Sequence, residues 1–258
     1  MSYVILLHAF LLILVQGGSA INIQTRIVNG TEARPGEFPY QISLQRYNAH
    51  TCGGAIINKN YVLTAAHCVG TRNLTKIYKI IAGTINVKSL SESATIHKVV
   101  NIRPHKKYVT GDGWKNDIAL IKVEPPFKFN KYIAPVELPQ MNETVSLNQT
   151  VVVSGFGKTS RQGEFSSKLL KTTSYIVDLE HCQSYYTSTV RLTNICTQNT
   201  LKATGFCKAD SGGPLSVNGK ILGVVSFSTN NGCIDNDFKP QVYTKVSAYI
   251  DWILSNIL

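Results

Sequence analysis

Three segments hold the side chains from which a hydrolytic site can be assembled: "LTAAHC" with His67, "KNDIALIKV" with Asp117 and "KADSGGP" with Ser211. A serine hydroxyl is a poor nucleophile at neutral pH. It attacks a carbonyl when an imidazole takes its proton, and the imidazole does so best when a carboxylate holds its ring in one tautomer. One residue of each type, in three separate segments, is what that chemistry requires. Taken singly, each has a plainer reading: a structural histidine beside a cysteine, an aspartate opening a strand, a Ser-Gly-Gly turn.

The elements that must position these residues are short. Apolar runs such as "YVLTAAH", "DIALIKV", "VVVSGFG" and "ILGVVSFS" recur between connections rich in Gly, Pro, Asn and Lys, a punctuation that predicts an all-β barrel or sandwich. Asn218-Gly219 between "PLSV" and "KILGVV" predicts a tight hairpin, because both central residues of that turn need positive φ. Only the C-terminus reads as helix: Ile250, Ile253, Leu254 and Ile257 share one face, and Ser247 is placed to cap its start. With 258 residues, 43% of them hydrophobic, the chain can bury a sizeable core. No linker or repeat divides it, so one compact unit of two lobes is expected, with a boundary near 130–140 in "YIAPVELP".

The apolar run from Tyr3 to Val15, followed by small residues to Ala20, reads as a secretory signal over residues 1–20. An exported chain meets an oxidising compartment, and six cysteines then favour disulfides, in any of fifteen pairings. No Cys-x-x-Cys or His-Glu-x-x-His run suggests a metal. "SGFGKTS" mimics a phosphate loop, but Val152 stands where that loop needs glycine, five positions before Gly157. The formal charge of +11 attracts acidic partners, yet its lysines and arginines read as scattered, solvated surface rather than one stripe. Asn29, Asn73, Asn142 and Asn148 open sequons that can carry glycans in an exported chain.

"RIVNG", "CGGAIINKNYVLTAAHC", "NDIALIKV", "DSGGPL" and "PQVYTKVSAYIDWI" together resemble the ordered landmarks of the trypsin and chymotrypsin family. The resemblance runs from Arg26 to the C-terminus. It implies two six-stranded Greek-key β-barrels packed together with a C-terminal helix, and a serine endopeptidase with His67, Asp117 and Ser211 as catalytic residues. It pairs Cys52 with Cys68, Cys182 with Cys196 and Cys207 with Cys233, and makes Ser226 the support of the buried aspartate. Ser226, Phe227 and Ser228 match the edge that binds substrate backbone, and the N–H groups of Ala209 and Ser211 match the oxyanion hole. A propeptide of residues 21–26 is implied, cleaved after Arg26 so that the Ile27 amine pairs with Asp210. The implied partners are protein or peptide substrates, an activating peptidase and protein inhibitors, for a monomeric, secreted enzyme without nucleic-acid or membrane partners. No cofactor or metal is expected, since "KIIAGTINVKSL" lacks the acidic residues of the family's calcium loop. Three disulfides and a minimal propeptide resemble the compact invertebrate members.

Two departures bear on activity. Ala209 stands where the family has glycine; if its φ is positive the cost is about 1–2 kcal/mol, smaller than the roughly 2.7–4 kcal/mol of a lost oxyanion donor. A usable site of reduced activity is expected. The pocket positions are Gly205, Phe206, Ser228 and Gln241, with no aspartate to hold Lys or Arg and with side chains where the walls usually carry glycine. Cleavage after small or medium uncharged residues is expected, in the manner of elastases, with a chymotrypsin-like choice of apolar residues second. The alternative is a weakly active or inactive homologue that binds or regulates.

Overall fold

The computed structural model describes residues 30–110, 113–186, 189–200, 204–228, 233 and 238–257. The signal segment, Arg26, Ile27 and the Asn29 sequon lie outside the described residues. Thirteen strands are described, and all named strand pairs are antiparallel. The short β1 (Thr31–Glu32) lies against β9 of the second barrel.

The first barrel contains β2 (Gln41–Arg46), β3 (Ala49–Ile56), β4 (Tyr61–Thr64), β5 (Tyr78–Ala82), β6 (Thr95–Pro104) and β7 (Ala119–Glu124). They close in the order β2-β3-β4-β7-β6-β5. Alternating side chains fill the inside: Ile42, Leu44, Ile56, Leu63, Ile80 and Ile121 are fully or almost fully buried. Each contributes about 1.5–3 kcal/mol of transfer free energy.

The second barrel contains β8 (Thr150–Gly155), β9 (Leu170–Val177), β10 (Asn194–Gln198), β11 (Pro214–Val217), β12 (Lys220–Phe227) and β13 (Gln241–Lys245). They run β9-β10-β13-β12-β11-β8, and pairing of β8 with β9 completes the ring. Val151, Val153, Ile176, Leu215, Val225 and Tyr243 form its core. Residues 125–149 join the barrels and bond to both, with Val136 N–H donating to Ile56 O and Glu137 N–H to Gly219 O. The β11–β12 hairpin turns at Asn218 (φ 49°) and Gly219 (φ 80°), the positive pair expected of Asn-Gly.

Three helices complete the described fold: α1 (Ala66–Val69), α2 (Leu179–Tyr186) and α3 (Ile250–Ile257). The C-terminal helix differs in detail from its expected form. Ser247 does not cap it: Val246–Tyr249 form a preceding 3-10 turn, and the Ser247 hydroxyl donates to Glu143 O. Within α3, Ile250 and Ile253 are buried while Leu254 is exposed. Disulfides join Cys52 to Cys68, Cys182 to Cys196 and Cys207 to Cys233. Among the described residues no helix is long and apolar enough to cross a membrane.

Candidate active site

Strand register brings the candidate residues together. Thr64, the last residue of β4, pairs with Ala119, the first of β7. His67, three residues after Thr64, and Asp117, two before Ala119, therefore meet at one end of the first barrel. The Cys52–Cys68 disulfide ties α1, which carries His67, to β3. Asp117 is completely buried, and a buried carboxylate is costly unless its oxygens are satisfied. They are: His67 N–H donates to Oδ1 at 2.9 Å, and His67 Nδ1 and Ser226 Oγ lie 2.7 and 2.6 Å from Oδ2. Because a carboxylate only accepts, the ring proton sits on Nδ1 and leaves the Nε2 lone pair available.

Ser211 comes from the second barrel. It precedes β11 by three residues, and Pro214 on β11 pairs with Val224 on β12, two residues before Ser226. Ser211 and Ser226 thus share one barrel end, and Ser226 already reaches Asp117. The seam between barrels is tight: Gly53 N–H donates to Ser211 O at 2.8 Å, and a Cβ on Gly212 would lie 2.1 Å from Thr64 Oγ1. Gly212, at φ 77°, has to be glycine on both counts. Among the described residues, no hydrogen bond links the Ser211 hydroxyl to the imidazole, the loose geometry common before substrate binds.

The turn before Ser211 is strained and braced. Ala209 has φ 70°, the left-handed conformation that costs an alanine about 1–2 kcal/mol. Its carbonyl accepts from His50 Nε2 at 3.0 Å, and Ser43 Oγ donates to His50 Nδ1 at 2.8 Å, which fixes the tautomer. Burial pushes the His50 imidazole down to about 4, so the ring stays neutral near pH 7. Asp210 is fully buried and accepts from Gly157 N–H at 2.8 Å and Cys207 N–H at 2.9 Å. Burial outweighs those two bonds and pushes its carboxyl up to about 7.

Beside this turn, Gln241 is 1% exposed and clamps the Phe206 backbone. Phe206 N–H donates to its Oε1 at 2.9 Å and its Nε2 donates to Phe206 O at 2.8 Å. A Cβ on Gly205 would lie 2.0 Å from the same Oε1, so an acidic side chain has no room there while Gln241 stays in place. The Phe206 ring sits edge-on to Tyr243 in the core of the second barrel, and its backbone is the part that meets Gln241. Ser226 ends its run buried on Asp117, and Phe227 packs edge-on against Tyr186 with Ser228 half-buried beyond it. Residues 229–232 and 234–237 lie outside the described residues.

The family model for Trypsin matches residues 27–253 of this chain. The chain belongs to the trypsin family of serine peptidases. It is 38% identical over 247 residues to chymotrypsin-like elastase family member 1 of Homo sapiens, covering 88% of this chain and 91% of that protein. The rat protein of the same name is 35% identical over 246 residues, with 90% of each chain covered, and the dog protein 37% over 244, covering 88% of this chain and 91% of that one. As a member of this family the chain is a serine endopeptidase, a hydrolase that acts on protein or peptide substrates.

Two residues at the site escape a reading of motifs. His50 lies two positions before Cys52, and nothing local marks it as a brace for Ala209. Trp114, three residues before Asp117, sets its ring 4.8 Å from His67 in an edge-on contact while remaining 37% exposed. Its φ of 51° comes from a loop whose shape the sequence does not announce.

Replacing Ala209 by glycine is predicted to stabilise the chain by about 0.5–1 kcal/mol, the relief of strain less the added entropy of the unfolded chain. A urea midpoint unchanged or lowered in Ala209→Gly would show that the alanine is unstrained. Asp210 supplies a prediction in pH. Its folded carboxyl is raised from 3.8 to about 7, so the folded state binds the extra proton and its stability is lost as pH rises through that window. Denaturant midpoints of the uncleaved chain should decline between about pH 4 and 7 more steeply than those of Asp210→Asn; equal slopes would refute the assignment.

Proposed function

We propose that the protein is a secreted zymogen whose mature form, starting at Ile27, cleaves peptide bonds after small or medium uncharged residues. The observation that carries the catalytic half of this reading is the 2.7 Å contact between His67 Nδ1 and the buried Asp117, which leaves the Nε2 lone pair free of the aspartate. Ser211 Oγ attacks the scissile carbonyl while His67 Nε2 takes its proton. The tetrahedral oxyanion is held by the N–H groups of Ala209 and Ser211. His67 returns the proton to the leaving amine, and water repeats the sequence on the acyl-enzyme to release the acid and restore the serine. Asp117 holds the ring and offsets the charge of the imidazolium. Ser226 steadies Asp117, and the backbone of residues 226–228 pairs with an extended substrate.

Cleavage after Arg26 by a peptidase selective for basic residues creates an ammonium at Ile27. A buried carboxylate at about 7 is a receptor for that charge: the ion pair offsets the burial cost and orders the turn that carries Ala209. The signal segment and three disulfides support export. Asn73, Asn142 and Asn148 are exposed acceptors for glycans.

Gln241 supports the choice of substrate. Its carboxamide, beside Gly205, is read as occupying the base of the pocket, which favours Ala, Ser, Val or Leu; among the described residues no carboxylate stands beside Gly205 to hold Lys or Arg. The elastase name of the relatives points the same way.

After cleavage at Arg26, a fluorophosphonate should label the protein and fail to label Ser211→Ala. Absence of labelling in folded, cleaved protein would refute the catalytic assignment. Peptide-library profiling should show small uncharged residues before the cut; a preference for Arg or Lys would refute the pocket reading. Gly205→Asp alone should not create cleavage after Lys or Arg, whereas the double variant with Gln241→Gly should begin to. Tryptic activity in the single variant would show that Gln241 does not occupy the base.

A further inference from the structure

The positive charge of this protein is not evenly shared. Residues 30–136, which contain the first barrel, carry 15 Lys and Arg against 6 Asp and Glu, whereas residues 137–258 carry 10 against 9. Almost all of the net charge therefore belongs to one lobe, and strand register concentrates part of it on one wall. Alternation along β6 buries His97 and Val99 and turns Lys98 outward; beyond the irregularity between Val99 and Asn101 it buries Ile102 and turns Arg103 outward. Lys98 stands directly opposite Lys79 of β5, and one row further along Lys122 of β7 pairs with Asn101. Lys106 and Lys107 extend the band past the end of β6.

Like charges directly opposite each other disfavour a sheet. Glu124 lies across from Lys98, yet among the described residues no ion pair within 4 Å involves Lys79, Lys98, Arg103, Lys106, Lys107 or Lys122. Three lysines of the second barrel behave differently: Lys168 pairs with Glu32, Lys171 with Glu37, and Lys220 with Glu137 and Glu143. Arg103 also hydrogen-bonds Asn256 Oδ1 at 2.8 Å, which carries the band to the edge of α3.

We propose that the outer wall formed by β5, β6 and β7, with Lys79, Lys98, Arg103, Lys106, Lys107 and Lys122, is a docking surface for a linear sulfated polysaccharide. Strands about 4.8 Å apart and residues repeating every two along a strand set cations at intervals of about 5–7 Å. A flexible chain with regularly spaced anions can follow that spacing and release the counterions held along it, whereas a single small anion gains little from it. The cations are mostly lysines, compact point charges suited to sulfate groups, and Lys98 and Lys122 border an open depression with Asn60, Pro125 and Pro126. The choice of a polysaccharide over nucleic acid rests on the reading that the protein is exported. The docking itself does not depend on peptidase activity, and the catalytic residues sit at the barrel end rather than on this wall.

The test uses the full protein on immobilised heparin as the sulfated polysaccharide, with affinity measured in solution across salt concentrations. Lys98→Ser, Lys106→Ser and Lys122→Ser are combined in one variant, and Lys88→Ser, Lys128→Ser and Lys131→Ser, which remove equal charge elsewhere, in another. Thermal unfolding checks that both are folded. The wild type should stay bound at physiological salt. The slope of log affinity against log salt should fall by about two in the first variant, at about 0.7 per lost contact, and hold in the second. Equal losses in the two variants would reduce the effect to bulk charge and overturn the proposal. So would release of the wild type below physiological salt, or tighter binding to duplex DNA or to phosphatidylserine vesicles than to the polysaccharide.

Discussion

Burial of the Asp117 carboxylate is the constraint on which the site depends. A charge at zero exposure is tolerable only where donors surround it, and these donors come from both barrels: His67 from the first, Ser226 from the second. Thr244, also from the second barrel, donates to the Asp117 carbonyl at 2.8 Å. The bonds that satisfy the aspartate therefore set how the barrels sit against each other. Ser211, three residues from the strand that pairs beside Ser226, is delivered to the same place by that alignment.

The seam admits little error because it is made of backbone. Gly53 and Gly213 approach so closely that a Cβ on Gly53 would lie 2.8 Å from Gly213 Cα, and Gly212 has no space beside Thr64. Against this stiff frame the left-handed Ala209 becomes intelligible. Its carbonyl is held by His50, the next residue is anchored through the Asp210 carboxylate, and Gly213 N–H donates to Asp210 O. Strain at one residue persists when its neighbours over-determine the turn. Asp210 holds the turn through a carboxylate that burial drives toward neutrality, so the same turn hangs on a group whose charge is costly where it sits.

Gln241 illustrates how one buried side chain acts through its neighbours. Its carboxamide takes up the N–H and C=O of Phe206, which would otherwise be buried polar groups, while the Phe206 ring faces the core against Tyr243. Phe206 and Gln241 are thus one unit, and the small size of Gly205 follows from it. The charge of the molecule is divided on a similar principle. Lys168, Lys171 and Lys220 of the second barrel are matched to nearby glutamates, and the lysines on the outer wall of the first have no such partner among the described residues.

Much of this was legible in the chain by itself. The alternating runs and the Asn218-Gly219 turn pointed to an all-β barrel or sandwich, because these signals depend on neighbours in sequence, and the resemblance of the ordered motifs supplied the two barrels and the enzyme class. The pairing of cysteines followed from resemblance, not from spacing. Other features were decided only by the tertiary structure. Ser247 was placed as a cap and instead reaches Glu143, since a 3-10 turn intervenes and a distant carbonyl competes for the hydroxyl. Phe206 turned its ring inward because a core site beside Tyr243 was open to it. His50 and Trp114 carried no local mark, and lysines that look scattered along the chain gather on one wall. The physical reason is common to all four: register between strands and the closure of a barrel bring together residues far apart in sequence. The outcome depends on burial and hydrogen-bond competition among them, which no short segment contains.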